Sequence, residues 1–300
     1  MENINWYPGH MKKTRELIEA NLRLVGAVLE VCDARIPLSS RNPVIEELCA
    51  GKPRITILNK SDLADEETTK LWLRALSKRG KDSASNRYSV PGVASVLALN
   101  SKAGLGINKL LAKLQDIEKE STGHGRLRIM IVGVPNSGKS SLINRLAGRK
   151  AAQTGDRPGV TKGKQWLKLE NGIQLLDTPG ILWPKFEDPN VGRSLAFCGS
   201  IKDEIMDLPD LALELLKTLL SGYPGLLEAR YGIDISRLIS QDYPIPISNE
   251  QAVNVMDEMA GKRGCLLPGK RIDYERISRI LLDEFRAGII GRISLERPNE

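Results

Sequence analysis

Gly133-Val134-Pro135-Asn136-Ser137-Gly138-Lys139-Ser140 stands between the apolar run Leu127 to Val132 and a helix-like stretch from Ser141 to Gly148. A glycine-rich turn that joins a strand to a helix makes a phosphate cradle. Its glycines let successive backbone N–H groups face phosphate oxygens, and the following helix adds its positive N-terminal end. Lys139 reaches the β and γ phosphates and is the first catalytic candidate, while the Ser140 hydroxyl can ligate Mg²⁺. Pro135, Asn136, Ser137, Gly138 and Ser141 complete the phosphate-binding set.

A second motif lies upstream, where the strand-like run Arg54 to Leu58 ends in Asn59-Lys60-Ser61-Asp62. Asn-Lys-x-Asp after a strand reads guanine. The Asp62 carboxylate can accept from the base N1–H and the exocyclic amine, and Asn59 can bond the opposite edge. Adenine lacks those two donors, and a carboxylate left unpaired against the wrong base costs several kcal/mol. A further apolar run, Ser95 to Leu99, delivers Asn100-Ser101-Lys102, where a backbone N–H can meet the guanine oxygen. Downstream of the cradle, Thr161 lies in a polar, glycine-containing loop with the character of a switch, in which it ligates Mg²⁺ only when the γ-phosphate is present. Then Asp177-Thr178-Pro179-Gly180 follows a strand: Asp177 can hold Mg²⁺ through water, and the Gly180 N–H can sense the γ-phosphate.

The order of these motifs is informative. In familiar small GTPases the phosphate cradle precedes the base reader, whereas here Asn59 to Asp62 precede Gly133 to Ser140. The chain is circularly permuted, an arrangement that keeps the sheet and moves the chain ends. The expected fold is α/β: a permuted P-loop GTPase domain with a doubly wound, mostly parallel sheet over residues 1–184, then a smaller all-α domain over 185–300. In that second domain the periodicity predicts helices over Val191 to Phe197, Pro209 to Leu220, Glu250 to Ala260 and Tyr274 to Arg286. On the last of these, Arg276, Arg279 and Arg286 share a face opposite Ile277, Leu281 and Phe285, which reads either as a solvated face or as a phosphate-binding one.

Composition narrows the class. The 300 residues carry a net charge of +7, with 41% hydrophobic and 27% charged residues, as in a soluble globular protein. Positive excess is concentrated in residues 1–184 and again in 262–300, which suits a polyanionic partner such as RNA. Cys32, Cys49, Cys198 and Cys265 form no C-x-x-C pair and fit a reducing cytoplasm. No apolar run is long enough for a membrane helix, so no membrane partner is expected, and no coiled-coil repeat argues for more than a monomer.

With these motifs in place, the sequence resembles the circularly permuted GTPases of the YlqF/RbgA family, bacterial ribosome biogenesis GTPases. The resemblance extends over Trp6-Tyr7-Pro8-Gly9-His10-Met11, Asp33-Ala34-Arg35-x-Pro37 with Arg41-Asn42-Pro43, Leu182-Trp183-Pro184-Lys185-Phe186 and Gly291-Arg292-Ile293-Ser294-Leu295-Glu296. It implies GTP hydrolysis at a late step of large (50S) subunit assembly, with the large-subunit precursor and its rRNA as partners in the GTP state and release on hydrolysis. The competing reading is an RNA-binding regulator whose GTP/GDP pocket is a slow sensor. Related GTPases use an asparagine of the phosphate loop to help hold a potassium ion, which makes Asn136 the candidate here. Ile181 occupies the position where many GTPases carry a water-orienting glutamine, and an aliphatic side chain cannot orient water. The resemblance points to His10 instead, held by a Pro8-Gly9 turn at a helix entrance.

Overall fold

A computed structural model describes residues 15–16, 18–49, 51–77, 93–120, 126–148, 165–169, 172–178, 180, 182, 186, 188–239 and 247–298. His10, Thr161 and Ile181 lie outside the described residues.

The first strand, β1 (Ala27–Asp33), is buried along its whole length, as the centre of a parallel sheet must be when both faces are covered. The chain runs through α1 (Pro43–Leu48), β2 (Arg54–Asn59), α2 (Glu66–Ser77), β3 (Val93–Ala98), α3 (Ile107–Glu120), β4 (Arg128–Val132), α4 (Lys139–Leu146), β5 (Gln165–Lys168) and β6 (Gln174–Asp177). Among the described residues these strands form a sheet in the order β3-β2-β1-β4-β6-β5. All neighbours are parallel except the β5–β6 hairpin at one edge. Strand alternation sends Leu29 and Val31 toward α3 and α4, where Leu110, Leu114, Leu142 and Ile143 meet them. Val28 and Cys32 face the other side, against Ile45 of α1, Cys49 just after it and Trp72 of α2, and against Ile18 and Leu22 of a helical segment at 18–22. Helices on both faces make the sheet doubly wound. Strand order reverses between β1 and β4, and the crevice at their carboxyl ends is where such sheets take ligands.

Beyond β6 the chain is helical: α5 (Pro189–Phe197), α6 (Leu208–Gly222), α7 (Pro224–Tyr231), α8 (Ile235–Leu238), α9 (Asn249–Arg263) and α10 (Tyr274–Ala287). Local chemistry sets several of the ends. Asp188, Asp207 and Asp273 cap α5, α6 and α10 with side-chain carboxylates, and Ser248 with Gln251 forms a capping box on α9. The central α6 buries Leu211, Leu215, Leu216 and Leu219 against Ile277, Leu281 and Phe285 of α10 and Val255 and Met259 of α9. The two short helices α7 and α8, and a hairpin of β7 (Leu266–Leu267) with β8 (Arg271–Ile272), add to the four helices expected from periodicity. Elements this short carry too few turns for a periodic signal. All four cysteines are free and buried, and no helix among the described residues is long and apolar enough to cross a membrane.

The helical core continues into the sheet unit through Ile36, Val134 and Leu182, so the two units share packed apolar surface.

Candidate nucleotide-binding site

The phosphate loop is held by close packing that only glycine permits at two positions. Gly133 passes so near β1 that an added Cβ would lie 2.3 Å from the Val31 carbonyl oxygen. Gly138 adopts φ 92°, and a Cβ there would meet Asn59 Nδ2 at 2.2 Å. Asn136 also takes positive φ, at 56°, a conformation asparagine tolerates better than most residues. The Ser137 hydroxyl turns into the loop and donates to Val134 O at 3.0 Å.

Lys139 opens α4 and is buried. Its Nζ donates to the carbonyls of Gly133 (3.0 Å) and Val134 (2.7 Å). Burial lowers its pKa to about 8, with Asp177 opposing the shift and Lys60 adding to it. To grip a phosphate this ammonium exchanges carbonyl partners for phosphate oxygens, which carry more charge. Asp177, buried at the end of β6, therefore lies within electrostatic reach of Lys139, and Thr178 beside it is pinned by its hydroxyl to Ile131 O. Gly180 sits directly on the loop: a Cβ would come within 2.9 Å of Lys139 Nζ and of Pro135. Ser140 and Ser141 line the same cavity as Lys139.

At the base-reading end, Asn59 has a task that the motif alone does not reveal. Its Oδ1 accepts from Ser101 N (3.1 Å) and Ser101 Oγ (2.7 Å), and its Nδ2 donates to Ser137 O (2.8 Å). One buried amide thus ties together the loops that follow β2, β3 and β4. Since a carboxamide nitrogen carries two hydrogens, Asn59 can offer a base only the second one. Lys60, at φ 57°, turns its ammonium away to the Asp33 carboxylate at 3.0 Å, while Asp62 is exposed on the loop. Asn100 shapes the third loop by accepting from Ala103 N. The backbone of Ser101 and Lys102 is held by the Arg145 guanidinium from α4, a contact with no signal in the motif.

Asp33 and Arg35 form a buried ion pair beside the loop. Arg35 donates from Nε and Nη2 to the two Asp33 oxygens at 2.9 and 2.8 Å, and its Nη1 reaches the Phe285 carbonyl in α10 at 3.2 Å. The guanidinium also lies 4.9 Å from the Phe285 ring centroid. Burial alone would raise the Asp33 pKa, but Arg35 and Lys60 outweigh it and hold the carboxyl well below the usual range.

A cavity of 1040 Å³ lies over this machinery. One wall is the sheet unit, with Lys60, Lys102, Asn136 and Gly138 to Ser141; the other comes from the helical unit, with Ile201, Lys202, Asp203 and Arg286. Besides Arg35, two bonds from the phosphate loop stitch the walls: Asn136 Nδ2 donates to Gly199 O at 2.6 Å, and Pro135 O accepts from Ser200 Oγ at 2.9 Å. The helical wall also corrects the expected arginine face. Arg286 points inward, binding Phe197 O and Ala196 O and both oxygens of Asp203. A helical wheel gives the angle between side chains but not the neighbour each one meets, and here the partners are the carbonyl end of α5 and the turn after it. Arg276 and Arg279 are exposed.

A family profile described as 50S ribosome-binding GTPase matches residues 128–219, from β4 through most of α6. Ribosome biogenesis GTPase A of Priestia megaterium is 42% identical over alignments covering 99% of this chain and 98% of that protein. The chain belongs to the ribosome biogenesis GTPase A (YlqF/RbgA) family. Its sheet unit is a circularly permuted GTPase domain, and the protein is a GTPase. A crystal structure of GNP-bound YlqF from Thermotoga maritima, 30% identical, superposes with a TM-score of 0.63 over 96% of this chain and 99% of that one. Mouse mitochondrial ribosome-associated GTPase 1 is 33% identical, with 97% of this chain and 90% of that protein covered. A GTPase domain requires Mg²⁺, and the donor set fits that ion. A hydroxyl (Ser140) that lines the cavity and a carboxylate (Asp177) within electrostatic reach of Lys139 suit an ion held mainly by nucleotide oxygens and water.

Proposed function

We propose that this GTPase acts late in large-subunit (50S) maturation, binding the precursor particle and its rRNA in the GTP state and leaving on hydrolysis. The observation that carries the proposal is the pair of bonds from Asn136 and Pro135 of the phosphate loop to Gly199 and Ser200 of the helical unit. A loop that changes partners when a γ-phosphate arrives pulls on a second unit with no intervening element. We divide the chain at residue 184 into the two units, and take the protein to work as a cytoplasmic monomer. Sedimentation with large-subunit precursors tests the cycle: the protein should travel with the particle in the presence of a non-hydrolysable GTP analogue and stay behind with GDP. Equal association in both states would overturn it.

In this proposal Lys139 and the loop from Pro135 to Ser141 hold the phosphates; Ser140, Thr161 and Asp177 hold Mg²⁺; and Gly180 senses the γ-phosphate. Asp62 reads the base, with Asn59, Lys60 and the Asn100-Ser101-Lys102 turn fixing the pocket around it. Asp62→Asn should weaken GTP binding by about 100-fold and shift preference to xanthosine triphosphate, whose oxygen replaces the guanine amine. Unchanged GTP affinity, measured by titration, would remove Asp62 from the site.

Asn136 is the proposed potassium ligand. With its nitrogen on Gly199 O, the oxygen is the atom to face the ion. Hydrolysis in potassium should exceed that in sodium by about an order of magnitude, since a bound cation offsets charge that develops in the transition state. Equal rates in the two salts would contradict the assignment.

The rRNA-facing surface is narrower than the helix periodicity suggests. The basic sequence positions for rRNA contact are Lys12, Lys13 and Arg15 as well as the α10 arginines; Lys12 and Lys13 lie outside the described residues, Arg15 is paired with Glu19 and Glu47, and Arg286 is internal, so Arg276 and Arg279 are the phosphate contacts proposed on α10. The double variant Arg276→Glu/Arg279→Glu should weaken particle binding at least ~10-fold and flatten its salt dependence, with intrinsic hydrolysis unchanged. Wild-type association would make them a solvated face.

A further inference from the structure

The loop that carries Asp62 is held in part from outside its own unit. After α10 the chain runs back across the sheet unit as an extended strap, residues 291–297, and its groups meet the loop after β2 one after another. Arg292 Nε donates to Ala64 O at 2.8 Å and its Nη2 to Ser61 O at 3.1 Å, so one guanidinium spans the two carbonyls that bracket Asp62 and Leu63. Its Nη1 lies 3.2 Å from Glu66. Ile293 N donates to Leu63 O at 2.9 Å, and Asp65 N donates to Ser294 Oγ at 3.1 Å. Gly288, at φ 74°, packs so closely on Leu63 that a Cβ would lie 2.6 Å from its side chain.

The strap is itself anchored on both sides. Tyr223 OH bonds the Ser294 backbone at N and O, and the Glu296 carboxylate accepts from Leu38 N (2.7 Å) and Ser39 N (3.0 Å). From the sheet unit, Ser61 N donates to Leu99 O and Leu63 N to Lys60 O, and Thr69 holds Asp65 O at the far end of the loop. Asp62 is exposed.

We infer that Arg292 is a positioning residue for guanine recognition: by clamping Ser61 O and Ala64 O it fixes the loop from which Asp62 reaches the base. The inference rests on the reading of Asp62 as the base reader. A carboxylate that must meet two donors at once is more sensitive to loop position than one meeting a single donor, so loosening the clamp costs guanine more than hypoxanthine.

The test is titration of the full-length protein with labelled GDP and IDP, in the wild type, Arg292→Ala, Arg292→Lys and Asp62→Asn. Arg292→Ala should raise the GDP dissociation constant about tenfold and shrink the preference for GDP over IDP several-fold, with the thermal midpoint recorded alongside. Arg292→Lys keeps the charge near Glu66 but lacks the fork that spans two carbonyls, so it should give a partial loss. Unchanged GDP affinity in Arg292→Ala, or equal loss for GDP and IDP, overturns the inference while leaving Asp62 in place. An Asp62→Asn variant with wild-type discrimination would instead overturn the base-reader reading on which it stands.

Discussion

Replacing Arg35 by alanine is expected to cost about 3 kcal/mol or more of folding stability, because it strands the buried Asp33 carboxylate with Lys60 as its remaining cation. The same change removes the bond from Arg35 to the Phe285 carbonyl and the guanidinium packed on the Phe285 ring, so the helical unit loses a principal tie to the sheet. The pH dependence follows from Asp33. Its carboxyl is held below its unfolded value, so the pair contributes stability that is complete above an unfolded pKa of roughly 3.9 and is lost as pH falls below it toward the folded value. Urea midpoints of the wild type should therefore fall steeply on acidification below that point. The variant should start lower and fall less, since its Asp33 has lost its strongest cationic partner. Equal midpoints at neutral pH would show that Lys60 alone suffices.

His10→Ala is expected to remove most of the particle-stimulated turnover, about 100-fold or more, while GTP binding and particle association persist. The case rests on what the chain lacks at Ile181: no hydrogen-bonding group follows Asp177-Thr178-Pro179-Gly180 to orient a water for in-line attack. Orienting needs a donor or acceptor close to the γ-phosphate, not a strong base, and the imidazole supplies both. A variant that loses rate without losing affinity marks a group that acts in the transition state. Full stimulated hydrolysis in His10→Ala, measured as phosphate release with precursor particles, would return the histidine to a structural role.

Much of the sheet unit was legible because its chemistry is local in sequence. The phosphate loop, Asn59 to Asp62 and Asp177 to Gly180 each sit at the end of a recognisable apolar strand, and the permutation follows from their order alone. What escaped notice depends on distant partners. Asp33 and Arg35 stand in the sequence as part of a family motif with no task attached, though two opposite charges spaced two apart at the end of an apolar strand are a signal of a buried pair. Arg145 carries none, since an arginine in the last turn of a helix is also an ordinary solvated residue. Arg286 misled for a related reason: its wheel position matched Arg276, but its neighbours are the end of α5 and Asp203. The strap after α10 has no periodicity because it is neither helix nor strand, and its bonds go to loops and to Glu66 and Trp72 of α2, all far away in sequence.

The meeting of Glu296 with residues near the start of the chain has a consequence for how the polypeptide matures. Trp72 Nε1 bonds Glu296 O across 224 positions of sequence, and Leu38 N bonds the Glu296 carboxylate across 258. Closing contacts this remote is slow, since the entropy of a very long loop is spent before any reward arrives. During synthesis the first strands and helices can assemble behind the advancing chain, yet the backbone from Arg35 to Ser39 and from Ser61 to Asp65 gains these partners only when residues 292–296 have been made. Until residues 292–296 emerge, Ser61 O and Ala64 O lack Arg292, Leu63 O lacks Ile293 N, and Leu38 N lacks the Glu296 carboxylate, so the loop that carries Asp62 sets after the strands on which it stands.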